Sequence, residues 1–334
     1  MAAFYSFFVV LALVVLAWVG AGEAGWKGLF GIYIPYLAFL VFVLGFLSKV
    51  LGWAKLPVPF CIPTTGGQQK SLPWIKNSPW DNPYNASGTV IRMALEVLTF
   101  RSLFRNTSLC LKQDGPKVGY SSAKWLWLFA LMFHYSFLLI LMRHLRLFLN
   151  PVPMPIEKLE FMDSILQIGV PLLYQTDLVI VAALLFLFLR RVFDPKVSYI
   201  SIMSDYFPLF LILGIAVSGI WMRYIAKVDV IAIKQLTMGL VTFHPIIPQD
   251  PIHVSFYVHI FLVSILFIYF PFSKLMHMGG VFMSPTRAMP NFSRRQMWVN
   301  PWNDPAIKPH SYAAYEDEFR EKMIEVGLPV DKKA

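Results

Sequence analysis

Four histidines lie in or beside the apolar segments of this chain. His134 and His144 stand ten residues apart in one segment, and His259 and His277 stand eighteen residues apart in or just past another. Ionisable residues are rare in lipid-spanning segments and usually serve a function there. Two antiparallel helices with two histidines each supply the ligands of two stacked haems b, because each iron takes one imidazole from each helix. The pattern therefore predicts the pairs His134 with His277 and His144 with His259.

The two pairs of histidines are separated by different distances along their helices, so the two helices cannot both be straight and parallel. Ten helical residues advance about 15 Å and eighteen advance about 27 Å, so straight parallel helices cannot match both pairs in height. Pro271 lies between His259 and His277 and can kink the second helix. We expect one haem near each face of the membrane, with irons roughly 20 Å apart. For a single histidine, a hydrogen bond to a neighbouring helix remains the alternative.

The apolar runs that carry these histidines predict a polytopic membrane protein. Of 334 residues, 57% are hydrophobic and 14% are charged, whereas soluble domains carry about 25% charged residues. A run of about 20 apolar residues spans a bilayer. We predict an all-α integral membrane protein with six transmembrane helices, at about 4–19, 29–51, 123–149, 170–190, 206–224 and 254–272.

These spans divide the chain into four predicted parts. They are two N-terminal transmembrane helices (1–51), a cytoplasmic loop with an interfacial helix (52–122), a four-helix haem-binding membrane part (123–278) and a cytoplasmic C-terminal tail (279–334). Within the loop, residues 89–103 have the periodicity of an amphipathic helix. Contact with lipid and docking of a soluble partner both remain open for it. In the tail, residues 312–326 predict a charged helix.

The positive charge of the loops predicts the orientation. Lys and Arg collect in the long loop, in the loop after the fourth span and in the tail, all on one side of a six-span chain. Positive charge marks the cytoplasmic side, so both termini are expected in the cytoplasm, with the protein in the cell membrane. The net charge of +10 is therefore attributed to membrane contacts rather than to nucleic acid.

Cysteine usage excludes two other redox cofactors. Cys61 and Cys110 are the two cysteines of the chain. Neither stands in a Cys-x-x-Cys-His motif, which excludes covalent c-type haem, and two are too few for an iron–sulfur cluster. Redox chemistry in this chain therefore needs histidine ligands or a bound partner.

The histidine spacings resemble those of the nitrate reductase gamma subunit family. The resemblance covers about Leu29 to His277. It implies a five-span dihaem cytochrome b that exchanges electrons with quinol, preceded here by an extra first helix. It also implies one haem near the cytoplasm and one near the outside.

Three longer stretches resemble a narrower family, the DsrM subunits of DsrMKJOP complexes, also called Hdr-like menaquinol-oxidising enzymes. The stretches are Ser204-Asp-Tyr-Phe-Pro-Leu-Phe, His277-Met-Gly-Gly-Val-Phe-Met-Ser-Pro-Thr-Arg287 and Tyr315-Glu-Asp-Glu-Phe-Arg-Glu-Lys-Met. This resemblance implies menaquinone as the lipid carrier and a place in dissimilatory sulfur metabolism (sulfate and sulfite reduction). It also implies a cytoplasmic iron–sulfur partner like DsrK, beside other membrane and extracytoplasmic subunits.

A quinol site needs a group that takes up protons. Asp177 lies near the outer end of the fourth span, with Tyr174 and Gln175 beside it, and these three are the quinone candidates. The alternative is that Asp177 forms an ion pair with a nearby arginine, since an unpaired carboxylate at that depth costs a few kcal/mol. Arg143 and Arg146 flank His144, so we expect them to bind propionates of the outer haem.

The function that these observations predict is electron transfer. Menaquinol would react near the outer haem, and electrons would pass through the inner haem to the cytoplasmic partner; the direction of flow is not determined by the sequence. The chain would then be an electron-transfer subunit of an oxidoreductase complex. A haem-free membrane anchor or a transporter is the alternative, although the chain shows no internal repeat of the kind many transporters have.

Overall fold

The computed structural model of the chain is built mostly from helices. The structure describes residues 1–57, 66–112, 115, 117–164, 173–249, 251–292, 294, 308 and 310–332. In chain order the helices are α1 (Ala2–Trp18), α2 (Ile34–Ala54), α3 (Ala86–Thr99), α4 (Arg101–Phe104), α5 (Lys124–His144), α6 (Met154–Asp163), α7 (Gln175–Phe193), α8 (Pro195–Ile200), α9 (Met203–Ile220), α10 (Val230–Val241), α11 (Val254–Tyr269), α12 (His277–Gly280), α13 (Pro285–Ala288) and α14 (Tyr312–Glu325).

Five helical segments of the described chain are long and apolar enough to cross a membrane. They include the π-helical or 3₁₀ turns that extend some of the helices, and they run over Ala2–Glu23, Leu29–Ala54, Lys124–Leu147, Met203–Ala226 and Val254–Phe272. These five confirm the predicted multi-pass helical membrane fold. Helix α7 corresponds to the remaining predicted span and has 19 residues. It carries three charges, Asp177, Arg190 and Arg191, and its predicted start at Val170 lies outside the described residues.

The β-hairpin and helix α10 were not predicted, and neither were the short helices α6, α8, α12 and α13. Strands β1 (Thr107–Lys112) and β2 (Lys117–Ser122) pair antiparallel in the long loop, so the expectation of an all-α chain holds for the membrane part and not for this hairpin. Helix α10 has 12 residues, too few to span a bilayer. It buries Ala232, Ile233, Leu236 and Thr237 against the bundle.

Helix α11 is the centre of the bundle. It packs against α1, α2 and α9, while α5 packs chiefly against α7, and α7 also contacts α9. Tyr257 and Leu262 of α11 are fully buried. At Pro271 the α-helix gives way to 3₁₀ turns over Phe270–Phe272 and Lys274–Met276. His277 therefore lies beyond the regular helix, as the proline predicted.

The end of the bundle that carries His277, predicted to be cytoplasmic, is called the inner end here, and the opposite end the outer end. At the inner end the long loop binds the start of the tail. The backbone N–H of Asn291 donates to the Pro83 carbonyl at 2.6 Å, and Gln69 Nε2 donates to Asn291 Oδ1 at 2.8 Å. These bonds join residues about 200 positions apart in sequence, so loop and tail form one folded cap.

Both predicted helices outside the bundle are present. The amphipathic segment at 89–103 forms α3 and α4, separated by Phe100 in the left-handed conformation (φ 51°). Asp81 binds Arg101 of α4 and Arg105, the residue that follows α4. Partial burial acts to raise the pKa of Asp81, but its hydrogen bonds from Arg105 and Arg101 outweigh burial and lower the pKa. The tail helix predicted at 312–326 is α14, whose N-cap Ser311 accepts a hydrogen bond from the Ala314 N–H.

Candidate functional site

The inner pair of histidines, His134 and His277, lies at the inner end of the bundle. The ring centroids are 6.0 Å apart and the ring planes are inclined at 80°. Nδ1 of His134 is 2.7 Å from the Ala130 carbonyl, and Nδ1 of His277 is 2.8 Å from the Lys274 carbonyl. Phe100, from the turn after α3, packs edge-on against His134 at 4.9 Å.

The outer pair, His144 and His259, has a similar separation and a different orientation. Its ring centroids are 6.3 Å apart and its ring planes are inclined at only 12°. Nδ1 of His144 is 2.7 Å from the Ile140 carbonyl. Nδ1 of His259 is 2.9 Å from Oγ of Ser218 on α9, and that hydroxyl also donates to the Ile215 carbonyl.

These hydrogen bonds determine which ring nitrogen carries the proton. A carbonyl oxygen can only accept, so Nδ1 of His134, His144 and His277 must donate. The Ser218 hydroxyl donates to the Ile215 carbonyl, so its oxygen is available to accept from Nδ1 of His259. In all four rings Nδ1 is the donor, which leaves Nε2 with a free lone pair, as in metal-ligating histidines whose other nitrogen is held by a carbonyl or similar acceptor.

Both pairs fit a haem iron between their rings. Two imidazoles that share one metal, with metal–nitrogen bonds of about 2 Å, have ring centres roughly 6 Å apart, and the observed separations are 6.0 and 6.3 Å. Among the described residues there is no group of three or more His, Cys, Asp or Glu side chains that could hold a metal ion. A haem needs only the two axial ligands that each pair offers, because the porphyrin supplies the rest.

A buried charge cluster lies next to the outer pair. Arg143 precedes His144 and is almost fully buried. Its guanidinium lies 3.0 Å from Asp163 Oδ2 and 3.1 Å from Asp177 Oδ1. Tyr224 donates to Asp177 Oδ2 at 3.0 Å. The ion pair with an arginine, predicted as the alternative role of Asp177, is therefore present.

Asp163 of α6 completes this cluster. It accepts hydrogen bonds from the N–H of Thr176 at 2.9 Å and from its hydroxyl at 2.6 Å. The Thr176 hydroxyl in turn accepts from Arg143 at 3.2 Å. One carboxylate thus connects the end of α6, the start of α7 and the outer end of α5.

Tyr174 lies between two guanidinium groups. The guanidinium carbons of Arg143 and Arg223 are each 3.7 Å from the centre of its ring, a distance at which a cation is attracted to an aromatic face. The Tyr174 hydroxyl donates to Glu160 at 2.5 Å, and Glu160 also pairs with Arg146. Gln175 donates to the Met162 carbonyl at 3.3 Å.

The hydrogen-bond and ion-pair partners of the two arginines and of the three quinone candidates can be compared with the roles predicted for them. Arg143 and Arg146 contact carboxylates of this chain, Asp163, Asp177 and Glu160, so their binding of haem propionates stays a prediction. Of the three quinone candidates, Asp177 and Tyr174 belong to the charge cluster, whereas Gln175 caps the end of α6.

Comparison with known proteins agrees with the geometry. Residues 93–291 match the family model described as "Nitrate reductase gamma subunit". The chain belongs to this family. Helices α5 to α13, with all four histidines, lie inside the match, and the family is one of membrane haem b bundles.

Two curated relatives resemble this gamma-family chain over most of its length. Both are described as "Hdr-like menaquinol oxidoreductase cytochrome b-like subunit". The protein from Archaeoglobus fulgidus is 48% identical over 274 residues, which are 80% of this chain and 81% of the relative. The protein from Archaeoglobus profundus is 43% identical over 269 residues, 78% of this chain and 79% of the relative.

Several members of the outer cluster of this gamma-family protein were not predicted from the sequence. Glu160 and Asp163 belong to α6, and neither was among the predicted site residues. Their helical spacing of three residues places both on one face of α6, which is a signal that the sequence contains. The contacts of Ser218 and Tyr224 depend on how α9 packs against α7 and α11, and no local pattern indicates them.

We expect Asp163→Ala to destabilise the protein by about 2–3 kcal/mol, because it leaves a buried guanidinium with one carboxylate instead of two and removes the acceptor of Thr176. The measurement is unfolding by sodium dodecyl sulfate in mixed micelles. Glu157→Ala is the matched control, since it removes the same charge from an exposed position of the same helix. Equal stability of the two variants would show that the Arg143–Asp163 contact contributes nothing.

Proposed function

We propose that this chain is the membrane cytochrome b subunit that carries electrons between menaquinol and a cytoplasmic iron–sulfur protein through two haems b. The observation that carries the proposal is the pair of facing imidazoles at each end of the bundle, with every Nδ1 bonded. The family match supports haem b, and the relatives' description as subunits of a menaquinol oxidoreductase supports the quinone.

In this proposal His134 and His277 hold the inner haem b, and His144 and His259 hold the outer one. When bound, the haems accept and release single electrons at two depths in the membrane. The protein's part is to hold each ring in place. The carbonyls of Ala130, Ile140 and Lys274 and the hydroxyl of Ser218 do this by binding Nδ1, which leaves each Nε2 free to bind iron.

The outer cluster is the proposed quinone site. Menaquinol must release two protons as it loses two electrons, and Asp177 is a carboxylate next to the outer pair. Arg143 and Tyr224 orient its two oxygens, which leaves further lone pairs to accept a hydrogen bond from a quinol hydroxyl. Tyr174 and Gln175 flank Asp177 and are the groups proposed to contact a quinone oxygen. Protons released here would leave from the outer end.

The electron partner is proposed to bind at the inner end. The folded cap formed by the long loop and the start of the tail lies there, next to the inner pair. By analogy with DsrM, the partner would be a DsrK-like iron–sulfur subunit of a DsrMKJOP-type complex in dissimilatory sulfur metabolism, with other membrane and extracytoplasmic subunits alongside. Both chain termini are proposed to face the cytoplasm in the cell membrane.

Single histidine variants test the haem assignment. We expect His134→Ala and His277→Ala to lose one and the same haem, and His144→Ala and His259→Ala to lose the other. Reduced-minus-oxidised visible spectra with a haem assay measure this. In electron paramagnetic resonance spectra, the near-perpendicular inner rings predict the more anisotropic low-spin signal, so each loss can be assigned to its pair. His244→Ala, an exposed histidine at the outer end, is the control and should keep both haems.

Two outcomes would contradict this assignment. If His134→Ala and His259→Ala share a phenotype, the antiparallel pairing is wrong. If the purified chain binds no haem, the haem-free anchor or transporter becomes the better interpretation.

The Ser218 hydroxyl is expected to tune the outer haem. Its hydrogen bond makes the His259 imidazole a stronger donor, which favours the oxidised iron. Ser218→Ala should therefore raise the midpoint potential of the outer haem by about 20–60 mV, equivalent to a net hydrogen bond of about 0.5–1.5 kcal/mol. Redox titration in the visible region measures both haems. Ser218→Thr keeps the hydroxyl and should restore the potential, and a shift of the inner haem instead would refute the assignment.

Asp177→Asn tests the quinone site. The amide keeps the size of the side chain but cannot accept a proton, so haem reduction by a menaquinol analogue should slow about 100-fold. Both haems should remain present and reducible by dithionite. Asp229→Asn is the matched control, because Asp229 is an N-cap at the outer end and asparagine caps equally well. A wild-type rate in Asp177→Asn would leave the ion pair as the residue's role.

A further inference from the structure

Helix α3 turns its polar side to the protein and its apolar side outwards. Arg92 donates to the Thr286 carbonyl at 2.9 Å, and Glu96 lies 3.4 Å from Arg287, so the charged residues of α3 bind the start of the tail. The opposite side is exposed and apolar, with exposed fractions of 68% for Val90, 40% for Ile91, 38% for Val97 and 57% for Leu98. An amphipathic helix on a water-exposed protein surface has the opposite arrangement, with its charged side outwards and its apolar side against the protein.

The C-terminal carbonyls of α3 are bound by side chains of a membrane helix. The last carbonyls of a helix have no partner within it and usually bind water or a cap. Here the Tyr135 hydroxyl donates to the Leu98 carbonyl at 2.8 Å, and Trp127 Nε1 donates to the Thr99 carbonyl at 2.7 Å. Both donors belong to α5. Protein must supply such donors wherever hydrocarbon replaces water.

The positions of these donors give the depth of α3. Trp127 lies three residues into α5 and Tyr135 eleven residues into it, which are axial advances of about 5 and 16 Å. Side chains on a helix lean towards its N-terminus, so the Tyr135 hydroxyl reaches back towards the inner end. The C-terminal half of α3 therefore lies beside the inner half of α5, within its apolar span.

The exposed face of α3 also continues an exposed face of α5. Tyr135 is 42% exposed, and Leu138 and Leu141, further along α5, are 50% and 52% exposed. On a membrane-spanning helix such residues face lipid. The apolar surface thus runs from α5 onto α3 across the Tyr135–Leu98 hydrogen bond.

We propose that α3 is embedded in the inner leaflet of the bilayer, with its Val90–Leu98 face covered by lipid acyl chains. Of the two occupants that the sequence left open, lipid and a soluble protein, the capped carbonyls and the continuity with α5 favour lipid. The cytoplasmic partner would then meet the polar cap and not this face. The inference does not depend on haem binding or on the proposed function.

This placement links the leaflet to the inner histidine pair. Phe100 follows directly after α3, and its ring packs against His134. Lipid that holds α3 in place therefore also holds the aromatic ring that contacts that imidazole edge-on.

Site-directed spin labelling of the full chain in vesicles of phosphatidylcholine and phosphatidylglycerol tests the proposal. Nitroxides are placed at Ala94→Cys and Val97→Cys, two exposed positions of α3, after Cys61→Ser and Cys110→Ser. Collisions with oxygen, which concentrates in lipid, are compared with collisions with a water-soluble nickel chelate. Leu138→Cys on α5 is the lipid-facing control, and Glu321→Cys on the exposed side of α14 is the water-facing control.

We expect the labels at 94 and 97 to match the label at 138, with oxygen collisions dominating. A nickel-dominated result like that expected at 321 would overturn the proposal, because α3 would then lie in water. Low collision rates with both reagents would also overturn it, because they would show that protein covers the face. Two labelled positions guard against a local disturbance by either label.

Discussion

Every polar group inside the bilayer must find its partner within the protein, and this requirement shapes the chain. A membrane histidine has two ring nitrogens, and an unbonded one is costly in hydrocarbon. In each of the four rings one nitrogen is bonded to the chain itself, three times through a backbone carbonyl three or four residues earlier and once through Ser218. The remaining nitrogen has a free lone pair, and a metal ion is a partner that suits it. Hydrogen bonds along the chain in three rings, and one between α9 and α11 in the fourth, thus leave one nitrogen of each ring free.

The same requirement explains the outer cluster. Arg143 is placed beside His144 at a depth where a lone guanidinium would be unstable. Two carboxylates from α6 and α7 surround it, and Tyr174 covers its face while stacking on Arg223 as well. Because the cluster joins α5, α6, α7 and the end of α9, it fixes the outer ends of these helices relative to one another. Any chemistry at Asp177 therefore takes place in a rigid setting, which favours a defined hydrogen-bond geometry over a mobile one.

The sequence predicted the features that depend on local patterns. Apolar runs located the membrane helices to within a few residues, histidine spacing gave the pairs that the structure brings together, and Pro271 predicted the break before His277. The hairpin was missed although Asp114-Gly115 lies between two alternating runs, a known turn signal. Helix α10 was missed because an apolar run of 12 residues fits neither a span nor a loop. The partners of Arg143 and His259 come from helices far away in sequence, and only packing determines them.

The break at Pro271 gives the two ends of the bundle different mechanical properties. His259 lies inside the continuous helix α11. Because α11 packs against α1, α2 and α9, His259 can move only together with the core. His277 is carried by 3₁₀ turns and a single short helix that leads into α13, and its neighbours Gly279 and Gly280 lie against Phe46 and Trp53 of α2 with little room to spare. A force on the tail is transmitted to His277 through α12 before it reaches α11. The inner imidazole is thus held by short turns and the outer one by a continuous helix, so a protein bound to the tail would act on His277 before it acts on His259.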